Sequence, residues 1–266
     1  MPTNRIPNTK LIGAEWVNNY SYPFSPKRIN LTRCGQDAHG FCNTLLGTRR
    51  FIYGDGMAWD QDFEQLGAST NHPYGDDATY AETVDILFFA GHGTQDGLLF
   101  GMPNHDNGEV KYDEVQLGQG GVIKWFIADT CKVLEDTVPP GAAAFRWGRA
   151  FKGLRYLLGF HGDCRDRADR GWRFANHLNG VSTSELQPDG SIITVRVGER
   201  IRYAWELACI ETEDLASLSC AFLRAGNATS VIHNDRWTDD AVEPDEVSLP
   251  TDFTYWRNIP LTPIPF

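Results

Sequence analysis

Three stretches constrain this chain more than any others: VDILFFA at 84–90, GVIKWFIAD at 121–129 and GLRYLLGF at 153–160. Each is a near-continuous apolar run of strand length. A strand with one wet face alternates apolar and polar residues. A run without that alternation has both faces covered, as in a parallel sheet. Segments of helical period surround these runs. DAHGFCNTLLG (37–47) has apolar residues near helical spacing and a glycine stop. DRGWRFANHLNG (169–180) ends the same way, and GERIRYAWELACIE (198–211) puts Ile201, Ala204, Trp205 and Ala208 on one face. KLIGAEWVNNY (10–20) and RRFIYGDG (49–56) read as strands, AWDQDFEQLG (58–67) as a helical turn, and LSCAFLRAG (218–226) as the last strand.

Strands alternating with helices predict an α/β fold, a three-layer α/β/α sandwich around a mostly parallel sheet, over residues 1–228. From residue 229 to 266 the chain is acidic and contains Trp and Pro. That extension is expected to pack irregularly on the same domain.

Composition narrows the function. A chain of 266 residues with 41% hydrophobic content can bury a sizeable core. A net charge of −11 argues against nucleic acid as a partner, since such binding needs a basic face. No apolar run approaches the roughly 18 residues of a membrane span, and MPTNRIPNTK at the start has no signal-peptide core. The expectation is a cytoplasmic protein with no membrane partner. Its six cysteines include no C-x-x-C pair, so neither a disulfide framework nor a zinc site is predicted. The acids beside Trp59, Asp60 and Asp62 fall out of register with a calcium loop, so no metal or other cofactor is expected. GQGG (118–121) precedes a strand, whereas a phosphate loop follows one, and it reads as a turn.

The chemistry lies at the strand ends. FFAGHG closes the first run with His92 between Gly91 and Gly93, and FIADTC closes the second with Cys131. In open α/β sheets the ligand crevice lies beyond the carboxyl ends of the strands. Neighbouring strands would bring a thiol and an imidazole to one edge, the elementary nucleophile and base arrangement. The backbone N–H groups of Gly93 and Cys131 would then stabilise the oxyanion. Asp129 is expected to anchor the Cys131 loop by accepting backbone N–H bonds, and Asp85 to be structural.

An apolar strand ending in G-H-G, then one ending in an Asp-x-Cys triplet, resembles the caspase–hemoglobinase fold of cysteine peptidases. That group includes caspases, metacaspases, legumains, separases and gingipains. The resemblance covers the order of elements over 10–226, with the residue match confined to FFAGHG and FIADTC. It implies a sheet of about six mostly parallel strands flanked by helices. It implies a His92–Cys131 dyad and an oxyanion hole from the N–H groups of Gly93 and Cys131. It also implies a substrate pocket lined by the loop after the third run, FHGDCRDRADRG (160–171), where His161, Asp163 or Asp166 would meet substrate. Read from the residues alone, that loop is a solvated one in which Arg165, Arg167 and Arg170 neutralise the acids. The chain departs from metacaspases in following Cys131 with Lys132-Val133-Leu134 rather than x-Ser-Gly.

The function implied is a cysteine hydrolase acting on a peptide or small acyl substrate through an acyl-enzyme. One alternative is acyl transfer or cyclisation on a thioester or amide. Another is a non-catalytic binding or scaffold protein. An α/β-hydrolase is disfavoured, because Cys131 lacks the flanking glycines of that fold's nucleophile turn and only His233 falls late in the chain.

Overall fold

A computed structural model describes residues 10–20, 28–67, 74–101, 107–120, 122–136, 141–186, 192–226, 234–238 and 252–258. The chain begins with β1 (Leu11–Trp16), α1 (Cys34–Thr44), β2 (Thr48–Gly54) and β3 (Ile86–Ala90). A small antiparallel arm follows, made of β4 (His92–Thr94), β5 (Gly97–Leu99) and β6 (Glu109–Lys111). Then come β7 (Trp125–Asp129), α2 (Ala142–Trp147), β8 (Tyr156–Phe160) and α3 (Arg170–Asn179). A hairpin of β9 (Val181–Leu186) and β10 (Ile192–Val197) leads to α4 (Ile201–Thr212), β11 (Cys220–Ala225) and β12 (Phe253–Arg257).

The protein is α/β, built on a seven-stranded mixed sheet in the order β12-β11-β8-β7-β3-β1-β2. Strands β2, β1, β3, β7 and β8 run parallel, and β11 is antiparallel to both of its neighbours, β8 and β12. The three apolar runs are β3, β7 and β8, and every residue in them is buried. They form the middle of the sheet, where both faces of a strand are covered.

Successive side chains leave opposite faces of the sheet. On one face Phe88 stacks on Phe41 of α1 at 4.7 Å. Phe174 of α3 lies 6.0 Å from Phe41, and Trp205 of α4 lies 5.7 Å from Phe174 and 5.4 Å from Phe160. On the other face Phe89 and Phe126 meet Phe63, just after a 3-10 turn at Asp60–Asp62, at 5.6 and 5.7 Å. Val133 covers Gly159 there, and Trp147 of α2 donates to the Val133 carbonyl at 2.7 Å. One face therefore carries three helices, and the other carries turns and a short helix. Burying each of these aromatic side chains contributes about 1.5–3 kcal/mol.

The structure departs from expectation at the carboxyl end. The sheet has seven strands, not about six, and LSCAFLRAG is not the last of them. Residues 253–257, expected to pack irregularly, form edge strand β12 against β11. Trp237 is fully buried and meets Trp125 edge-on at 5.9 Å, with the Lys10 ammonium 5.3 and 5.0 Å from the two rings. Short runs such as FTYWR become strands only when a distant edge is offered. Of the expected extension, residues 229–233 with His233, 239–251 and 259–266 lie outside the described residues.

Two buried acids on this scaffold influence each other. Glu15, fully buried on β1, is held well above the ordinary range by burial first and by Asp62 second, so it keeps its proton. Asp62 is itself pushed up to about 6, first by burial. Asp60 beside them accepts the N–H groups of Gly108 at 2.6 Å and Asn107 at 3.2 Å, which makes it a loop anchor. Among the described residues no group of three His, Cys, Asp or Glu side chains is arranged to hold a metal ion. Among them, too, no helix is long and apolar enough to cross a membrane.

Candidate active site

Strands β3 and β7 are adjacent, with Ala90 paired to Asp129 at their carboxyl ends. The residues just beyond, His92 and Cys131, therefore reach the same edge and line one cavity of about 290 Å³. The two glycines around His92 have separate reasons. A Cβ on Gly91 would stand 2.8 Å from the Tyr20 hydroxyl. A Cβ on Gly93 would press into Thr130, 2.7 Å from its Cβ and closer still to Oγ1. Gly93 thus lets β4 lie directly against the turn that carries Cys131.

His92 is held from two sides. The Tyr20 hydroxyl accepts the His92 N–H at 2.8 Å and donates to the Leu99 carbonyl at 3.0 Å, while the two rings pack at 4.6 Å. The ring Nε2 lies 2.8 Å from the carbonyl oxygen of Ile29. A carbonyl only accepts, so Nε2 carries a proton toward it, and Nδ1 is the ring nitrogen left for chemistry.

Cys131 sits on a turn fixed in an uncommon conformation. Lys132 has φ +62°, a left-handed geometry that a side-chain-bearing residue adopts only where its surroundings compel it. Hydrogen bonds from Lys132 N–H to Gly162 O and from Leu134 N–H to Phe160 O, both 2.9 Å, supply that compulsion. The Cys131 N–H donates to none of the described residues. Gly93 faces Leu98 across the two-residue turn of the arm, at the position where an antiparallel ladder points its N–H outward.

The partner of the Cys131 sulfur is Cys164, not His92. The two Sγ atoms are 3.5 Å apart, and the Cys164 N–H donates to Cys131 Sγ at 3.2 Å. The Cys164 thiol, above all, pulls the Cys131 thiol down to about 7; burial opposes this and the Cys164 N–H assists it. The Cys164 thiol is correspondingly pushed well up, first by that same bond and then by burial.

Asp129 anchors the site differently from expectation. Its carboxylate takes the Arg170 guanidinium rather than backbone N–H groups. Arg170, expected on a solvated loop, is fully buried and also binds Glu213 of the α4 end, Thr212 Oγ1 at 3.1 Å and the Arg165 carbonyl at 3.2 Å. It ties the Cys131 turn and the Cys164 loop to the helical layer. Asp37 of α1 completes the cluster. Burial and the neighbouring Asp129 hold its carboxyl well above the ordinary range, and its Oδ1 accepts the Gly171 N–H at 2.7 Å.

Of the loop residues singled out as substrate contacts, Asp163 and Asp166 line the cavity and His161 does not. Asp163 pairs with Lys132 at 3.1 Å. Asp166 accepts the N–H groups of Thr32 and Arg33 at 2.8 and 3.2 Å, where the chain enters α1. His161 is turned toward the Asn258 carbonyl, 3.2 Å away. The residues that sequence reasoning did not single out are Tyr20, Ile29, Asp37 and Cys164. Only Cys164 carried a signal, as a second cysteine placed just beyond a strand end.

Fold and site together define an α/β protein with a thiol and an imidazole in one cavity at the carboxyl edge of a parallel sheet. The chain belongs to the family of DUF6345, a domain of unknown function, whose model matches residues 14–258, from within β1 to just past β12. No curated protein matches the sequence.

Proposed function

We propose that the protein is a cysteine hydrolase of the caspase–hemoglobinase kind, with Cys131 as nucleophile and His92 as proton carrier. The observation that carries this reading is the Cys131 thiol, drawn down to about 7 in a cavity that also holds an imidazole with a free Nδ1. At neutral pH a large fraction of such a thiol is thiolate, the form that attacks a carbonyl. The tetrahedral oxyanion would meet the N–H groups of Cys131 and Gly93. The Cys131 proton passes to His92 Nδ1 as the sulfur attacks, and collapse to a thioester expels the leaving group, which takes that proton from the imidazolium. Water, deprotonated by the same ring, then releases the acid and restores the thiol.

The resting structure joins Cys131 to Cys164 rather than to His92. Catalytic hydrogen bonds are often loose before substrate binds, and a proton carrier needs to reach the leaving group more than the resting thiol. Ile29 and Leu31 give the cavity an apolar wall, and the loop at 163–167 gives it mixed charge. That suits a peptide or a small acyl group.

The test is intact-mass spectrometry after mixing with a panel of peptide, ester and thioester substrates. A covalent acyl adduct on Cys131, abolished in Cys131→Ala, is the expected result. Absence of an adduct with every carbonyl class overturns the reading in favour of a scaffold. Turnover of thioesters to amides without free acid favours acyl transfer.

A further inference from the structure

We propose that Cys131 and Cys164 form a peroxide-responsive thiol pair, in which Cys131 is oxidised first and Cys164 resolves it to a reversible disulfide. The inference concerns the sulfur chemistry of the cavity and stands whether or not the protein hydrolyses anything.

Three observations carry it. The two Sγ atoms are already 3.5 Å apart and need to approach to about 2.05 Å to bond. Of the six cysteines, only these two are not buried, and both line the cavity. Cys164 lies outside helix and strand, between β8 and α3, and faces the Cys131 turn directly. The pair is also polarised. Cys131 Sγ accepts the Cys164 N–H at 3.2 Å, which favours thiolate on Cys131, and as a thiol it can donate to the Cys164 carbonyl at 3.5 Å. The third thiol in the cavity, Cys34, points at Asp166 Oδ1 at 3.6 Å and is raised chiefly by burial, so it competes poorly as a nucleophile.

The chemistry balances with one hydrogen peroxide. The Cys131 thiolate attacks a peroxide oxygen, the O–O bond breaks, and a sulfenic acid forms as hydroxide leaves. Once Cys131 is no longer a thiolate, the hydrogen bond that most strongly raised the Cys164 thiol is gone. Cys164 sulfur then attacks Cys131 sulfur, the S–O bond breaks, and the Cys164 proton leaves with hydroxide as water. The two thiols lose two electrons and the peroxide becomes two waters. The disulfide removes Cys131 from the cavity as a nucleophile until a thiol reductant restores it.

The experiment treats the full chain with a modest excess of hydrogen peroxide, alkylates the remaining thiols and maps peptides without reduction. The expected product in wild type is a peptide pair linked through Cys131 and Cys164, short of two hydrogens and released by dithiothreitol. In Cys164→Ser the link is lost, and Cys131 gives a dimedone adduct at early times and sulfinic acid later. Circular dichroism confirms that the variant folds, and the four buried cysteines serve as internal controls. Sulfinic or sulfonic Cys131 in wild type without the linked pair overturns the proposal. So does Cys131 oxidation no faster than that of the buried four. Neither readout uses a substrate, so failure here and failure of the hydrolase reading are separate results.

Discussion

His92 Nε2 lies 2.8 Å from the carbonyl oxygen of Ile29, a backbone group more than sixty positions away in the chain. The contact holds the ring in one tautomer and leaves Nδ1 for chemistry. Because Cys131 takes its main hydrogen bonds from Cys164, the thiol and the imidazole are separately controlled. His92→Ala is therefore expected to leave the pH midpoint of Cys131 alkylation near its present value. The same substitution lowers acyl-substrate turnover about 10²–10⁴-fold, the usual contribution of a positioned acid–base group. Iodoacetamide rates against pH, set beside kcat, separate the two effects.

Cys164→Ala moves the other quantity. Cys131 alkylation in wild type rises with pH through about 7, where the thiolate forms. Removing the Cys164 thiol takes away the largest cause of that lowering, so the midpoint climbs toward the ordinary thiol range. At neutral pH the rate falls on the order of tenfold. An unchanged midpoint would mean that Cys164 does not tune Cys131.

Arg170→Ala strands Asp129 and Glu213, buried carboxylates that lose their shared cation. The expected loss is about 3–5 kcal/mol, read as a lower urea midpoint. Glu213 is raised by burial, so it protonates early as pH falls. The penalty of the substitution therefore shrinks under acid conditions and is largest at neutral pH.

Glu15 gives stability a pH slope. Its folded-state carboxyl is raised well above the ordinary range, chiefly by burial, and Asp62 and Asp77 are raised to about 6 and about 7. A raised acid contributes fully below its unfolded value and loses that contribution as pH rises through its folded value. The melting temperature is accordingly expected to fall between about pH 5 and about pH 8. Glu15→Gln removes the titrating proton, and flattens that fall in thermal melts.

Gly93→Ala would drive a methyl group into Thr130. Overpacking of this kind costs about 1–3 kcal/mol, and here the strain falls on the Cys131 turn. Slower Cys131 alkylation together with a lower melting temperature is the expected pair of effects.

The sheet's centre and the placing of His92 and Cys131 at its edge were legible in the residues alone. ILFFA, WFIAD and YLLGF have no polar face, so each had to lie between layers. A strand so placed delivers whatever follows it to the sheet edge, which is why His92 and Cys131 were legible. Strand β12 was not, because FTYWR gains its pairing only from β11, and nothing local to 253–257 specifies that edge. The role of Arg170, and the pairing of Cys164 with Cys131, were hidden for a related reason. A charged or sulfur-bearing side chain in a polar loop looks the same whether it meets water or a buried carboxylate. Burial is a property of the folded chain, so the grip of Arg170 on Asp129 and the placing of Cys164, rather than His92, beside the Cys131 sulfur arise only from long-range packing.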